Sequence, residues 1–85
     1  MKAERFNELT LEDKNWLVLE YGDYLLSIEY YDHRVKLYAL HSHFIEVYQR
    51  INSRQVETIA LATGSDLNKF LARILIGDLT KQIRR

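Results

Sequence analysis

The stretch Tyr38-Ala-Leu-His-Ser-His-Phe-Ile-Glu-Val-Tyr48 decides how this 85-residue chain folds. Run straight, it points His41 and His43 the same way along one strand, so that both imidazoles reach a single metal ion. Bent at His41-Ser42, it becomes the junction of two antiparallel strands, and the histidines only form the turn. We read the bend, because histidine is among the non-glycine residues that best tolerate the positive φ of a two-residue hairpin loop. His33 lies at the far end of the preceding strand, about seven residues away at roughly 3.3 Å each, too distant to complete a site. No metal is expected.

Outward from this turn, tyrosines and β-branched residues mark strands. The pattern predicts Tyr24–Tyr31, Arg34–Leu40, His43–Ile51 and Val56–Ala62 as an antiparallel meander, with further turns at Asp32-His33 and Asn52-Ser-Arg-Gln55. Setting Tyr31 against Arg34 places Glu29 opposite Lys36, and centring the last turn on Ser53-Arg54 places Arg50 opposite Glu57. Both are opposite-charge pairs, each worth a few tenths of a kcal/mol. One face then collects Tyr24, Leu26, Ile28, Tyr30, Val35, Leu37, Ala39, Phe44, Tyr48, Ile59 and Leu61 as the core. The other mixes Ser27, Glu29, Arg34, Lys36, Gln49 and Thr58 with Leu25, Tyr38, Leu40, Ile45, Val47 and Ile51.

Helices flank the sheet. Thr10 can cap a helix with Glu12 and Asp13 in its first turn, and Gly22 is placed to end it in a left-handed cap. Trp16 and Leu19 fall off its apolar stripe, so a short strand through "WLVLEY" is the alternative. Ser65 opens a second helix whose Leu67, Phe70, Leu71, Ile74 and Leu75 share one face, with Lys69 and Arg73 on the polar side and a stop at Gly77. The expected fold is α+β: an N-terminal helix, a four-stranded antiparallel β-meander and a C-terminal amphipathic helix packed on the sheet. It forms a single domain over 1–85, with 1–9 and 78–85 frayed.

Composition narrows function by exclusion. Apolar residues make up 47% and charged residues 28%, a globular balance. No apolar run approaches the roughly 20 residues of a membrane span, and the charged start "MKAERFNELT" lacks a signal peptide's apolar stretch. Cysteine is absent, which removes thiolate chemistry and cysteine-bound metals; a reducing cytoplasm is the expected location. Net charge is zero, with a balance of −4 over residues 1–49 and +4 over 50–85. A nucleic-acid binder would show a basic excess, so neither nucleic acid nor membrane is expected as a partner.

Glu46 is the one carboxylate that the register sets on the core face, between Leu37 and Leu61. A buried carboxylate has a raised pKa and can act as general acid or base. No serine, lysine or histidine is placed to work with it, so a hydrogen bond to a tyrosine such as Tyr30 is the preferred reading. Phosphate loops, nucleophile elbows, HExxH and calcium-loop spacings are all missing, and the anion-binding potential of "ATGSDL" is that of an ordinary helix start. No catalytic residue and no cofactor is expected.

The segment Tyr30–Val47, "YYDHRVKLYALHSHFIEV", resembles one in small conserved bacterial proteins of unknown function. These share a paired-tyrosine strand, then "VxLYxL", a tight turn and "F-[IV]-E-V". The similarity of layout extends over about residues 10–75, although such relatives often carry a glycine-containing turn where His41-Ser42 stands here. The resemblance implies the same helix–sheet–helix arrangement and no activity. The functional expectation is a non-enzymatic interaction module, a homodimer or a binder of another protein, using Trp16, Leu19, Leu25, Tyr38, Leu40, Ile45 and Val47. The alternative is a small-ligand or metal-binding protein using Glu46, Tyr30, Tyr48 and His43 on the tyrosine-lined sheet.

Overall fold

A computed structural model describes residues 2–72 of the chain. Two helices, α1 (Ala3–Glu8) and α2 (Leu11–Tyr21), precede four strands. These are β1 (Asp23–Tyr30), β2 (His33–Leu40), β3 (His43–Arg50) and β4 (Val56–Leu61), antiparallel and in chain order across one sheet. A last helix, α3, covers residues 64–72. The architecture is the expected α+β meander between helices. Among the described residues no helix is long and apolar enough to cross a membrane.

The segment 1–9, expected to fray, contains α1, and its Phe6 is wholly buried. "WLVLEY" is helical, within α2. Thr10 caps that helix by accepting the Asp13 N–H at 3.1 Å. Gly22 ends it, but with extended backbone (φ −83°) rather than a left-handed cap. Glycine fits there because a Cβ would lie 2.6 Å from the Val18 carbonyl oxygen, whose hydrogen bond the Gly22 N–H makes at 2.9 Å. Thr63, not Ser65, caps α3. Its hydroxyl accepts the Asp66 N–H at 3.2 Å while the Asp66 carboxylate accepts the Thr63 N–H at 2.8 Å, a reciprocal box. Ile74, Leu75, the stop at Gly77 and the frayed end at 78–85 lie outside the described residues.

The chain reverses at His41-Ser42 as expected, with His41 at φ 55° and Leu40 paired to His43. The first hairpin turns at Tyr31-Asp32 instead of Asp32-His33, with the positive φ on Tyr31 (57°) and Tyr30 opposite His33. Glu29 therefore meets Arg34, at 3.5 Å, and Lys36 meets Ser27. Asp32 is drawn into the loop by His33 Nδ1 and the Arg50 guanidinium, at 2.8 and 2.9 Å. This slip of two residues keeps each side chain on its expected face; a slip of one would not.

The third hairpin does slip by one. Glu46 pairs with Ala60, not Leu61, and an irregularity at Tyr48/Gln49 follows. Ile59 and Leu61 thus move to the face of Ile45 and Val47. A bulge between Tyr24 and Leu26 likewise turns Tyr24 toward Tyr38.

Both faces of the sheet are covered. On one, Leu40, Ile45, Val47 and Ile59 pack with Phe6 of α1 and Val18 of α2. On the other, Ile28, Val35 and Leu37 pack with Phe70 of α3. The sheet is the middle layer, which is why its strands carry apolar residues on both sides rather than a clean alternation. Phe6 closes the first core, so Phe6→Ala should lower the unfolding free energy by about 3–5 kcal/mol in a urea titration. A loss below about 0.5 kcal/mol, the level of an indifferent surface change, would mean that α1 does not cover the sheet.

Candidate functional site

Glu46 stands mid-strand in β3, on the face that α3 covers, and is only 3% exposed. Sequence reading placed it on the inner face correctly and chose the wrong partner. The Lys69 ammonium, reaching down from α3, donates to Glu46 Oε2. It also donates to the Asp66 carbonyl at 3.2 Å. Three rings surround the ammonium, with centroids 5.8 Å (Tyr30), 5.8 Å (Tyr48) and 5.1 Å (Phe70) from Nζ. The expected tyrosines are therefore present, but their rings flank the cation, and it is Lys69 that satisfies the acid.

Burial raises the Glu46 pKa above the usual carboxylate range, and the Lys69 hydrogen bond and charge pull partly against it. Burial pulls Lys69 down, but its bond to Glu46 and that carboxylate's charge more than reverse this, so its pKa is raised. Chemically, the arrangement is a closed ion pair. The cation fills the space over the acid, and neither a serine nor a histidine comes with it. His43 pairs with Leu40 on the opposite face, so the structure gathers Glu46, Tyr30 and Tyr48 but not His43.

A second polar cluster closes the other end of this face. His33 Nε2 lies 2.6 Å from Glu57 Oε1, and the Arg50 Nε donates to Glu57 Oε2 at 2.8 Å. The expected Arg50–Glu57 contact forms, with His33 as an added member. With Asp32 Oδ1 2.8 Å from Nδ1, each His33 nitrogen faces a carboxylate. Among the described residues no group of three His, Asp or Glu is arranged to hold a metal ion.

The interface residues expected from sequence divide. Leu40, Ile45 and Val47 are buried under α1 and α2, so they are core and not contact surface. The expectation failed because it left that face without its helical cover. Tyr38 is half-buried, its ring edge-on to Tyr24 with centroids 5.6 Å apart. Trp16, Leu19 and Leu25 are exposed. They are joined by Tyr21, also exposed, whose ring meets Trp16 edge-on with centroids 5.8 Å apart.

Comparison with protein-family models, with curated proteins and with solved structures finds no match to this chain.

Lys69, Tyr48 and Tyr38 all have raised pKa values, the tyrosines chiefly through burial. Each contributes stability that is complete below its ordinary pKa and lost as pH rises through the folded one. Acid-side signs conflict, since Glu46 is raised while Glu57 and Asp66 are lowered. The alkaline limb is the clean test. Melting temperature should fall above pH about 10, the ordinary tyrosine and lysine range. Tyr48→Phe should make that fall shallower; identical alkaline profiles for the two proteins would contradict the placement of Tyr48 beside the pair.

Proposed function

We propose that this protein is a non-enzymatic interaction module of the cytoplasm that self-associates through the outer face of α2. One observation carries the reading. Trp16, Leu19 and Tyr21 are 55%, 65% and 60% exposed on a helix whose inner side is already seated on the sheet. Leu25 and Tyr24, 45% and 54% exposed, follow directly along the chain. Large aromatic residues in the open are what a contact surface needs, because they bury much area for little lost side-chain freedom. Single exposed apolar residues are ordinary; a run of them around an edge-on Trp–Tyr pair is not.

A second copy is the inferred occupant because an apolar patch can serve as its own complement: Trp16, Leu19 and Tyr21 of one copy meet the same residues of the other across a two-fold axis. Catalysis is disfavoured by the closure of Glu46, whose surroundings are filled by Lys69 and its rings. The same closure disfavours a ligand held by Glu46, Tyr30 and Tyr48.

Trp16 is the sole tryptophan, so its emission reports on the surface directly. Raising the concentration through the micromolar range should shift that emission to the blue as sedimentation velocity records a dimer. Leu19→Arg, at an exposed position, should abolish both changes and leave the fold intact. A wild-type protein that sediments as a monomer at high micromolar concentration would end the self-association reading.

A further inference from the structure

On the sheet face that carries α1 and α2, the helices leave one end open. That end is the one bounded by the β1–β2 and β3–β4 turns, and it holds a cleft of about 400 Å³ lined by Arg34, Lys36, Gln49, Arg50, Ile51 and Arg54. We propose that this cleft binds a small polyphosphorylated metabolite. The inference goes beyond self-association and uses a different surface from the α2 stripe.

The cleft has a floor and a wall. Arg34 and Gln49 are directly opposite on β2 and β3, as are Lys36 and Val47, so all four share this face. The wall is the β3–β4 turn. Gln49 Nε2 donates to the Arg54 carbonyl at 2.7 Å, and the Arg54 N–H donates to the Arg50 carbonyl at 2.8 Å. Arg54 adopts φ 62°, a conformation in which glycine or asparagine is the usual residue, though Asn52 and Ser53 stand close by. The turn thus holds an arginine where the backbone favours a residue without a long side chain.

The charges are unevenly engaged. Arg50 is bound by both Asp32 and Glu57 and brings little free charge to the cleft. Arg34 has only Glu29, at 3.5 Å with both side chains well exposed, an attachment easily exchanged. Among the described residues neither Lys36 nor Arg54 is paired with a carboxylate. Three cations therefore converge, and the chain's net charge of zero means that an anion drawn here responds to this cluster and not to the molecule as a whole.

The spacing selects the ligand. Arg34 and Lys36 are two residues apart on one strand, roughly 7 Å, with Arg54 across the cleft. Such a spread matches a chain of phosphates better than one isolated carboxylate. Arginine supplies the forked, bidentate geometry that phosphate oxygens accept, lysine a point charge between forks. Ile51 offers the organic part an apolar contact.

The test is a titration of the full chain with sodium tripolyphosphate at constant ionic strength, followed by backbone-amide NMR. Saturable shifts should be confined to the amides around residues 34–36, 49–51 and 54. Lys36→Glu and Arg54→Glu should each weaken binding about tenfold or more while keeping the native amide spectrum, whereas Lys2→Glu, an equal charge change on α1, should not. Linear, unsaturable shifts, or equal losses in all three variants, would overturn the proposal. So would a short single-stranded oligonucleotide that binds the same amides more tightly as it is lengthened, since that would reassign the cleft to nucleic acid. A monomeric wild type that still binds tripolyphosphate would refute self-association alone.

Discussion

A carboxylate in the middle of a sheet imposes a condition on everything packed against it. Glu46 is almost wholly removed from water, and an isolated buried charge of this kind is too costly to keep. It must be met by a cation arriving from above the sheet, and Lys69 meets it. For Lys69 to arrive, α3 must cross this face at one place and in one rotation, with Phe70 over Ile28, Val35 and Leu37. The apolar grip of α3 is modest, since Leu67 is only partly buried and Leu71 is 52% exposed. What the pair adds is position more than strength: buried ion pairs seldom outdo an apolar substitute in stability, but they penalise every arrangement that separates them. The rings of Tyr30, Tyr48 and Phe70 and the Asp66 carbonyl complete the enclosure of the ammonium.

Fixing α3 on one face leaves the other to α1 and α2. Among the described residues the buried apolar side chains at mid-sheet form two cores, and two of the surfaces outside them are the outer side of α2 and the turn-bounded end of the sheet. The first is aromatic, the second cationic. They are separated because α1 and α2 cover Leu40, Ile45, Val47 and Ile59 and stop short of Arg34 and Lys36.

Strand existence was legible because tyrosine and β-branched runs with period two survive any local detail. The His41-Ser42 reversal was legible too, through the backbone tolerance of histidine. Register was less so. Tyr31 takes the positive φ that Asp32 or His33 would have been expected to take, a choice governed by the ion pairs of Asp32 and not by turn propensity. In the third hairpin one extra residue in the Tyr48–Val56 connection reversed the faces of Ile59 and Leu61, and no residue in the loop announces it. The bulge at Leu25 is equally silent. α1 escaped notice because a six-residue helix carries a single core residue, Phe6, too few for a period to show. The Lys69–Glu46 contact spans 23 residues and depends on which face α3 covers. The available signal was a rule rather than a motif: a carboxylate assigned to a core needs a cation, and the final helix held the candidates.

The most direct measurement is a double-mutant cycle on the pair, using Glu46→Leu, Lys69→Met and the two combined, with unfolding free energies from urea titration. Lys69→Met, which strands the buried carboxylate, should cost about 3–5 kcal/mol, and the double variant should recover most of that loss. Additive costs below about 1 kcal/mol for each change would show that Glu46 does not hold α3, and the arrangement of both faces would need another cause.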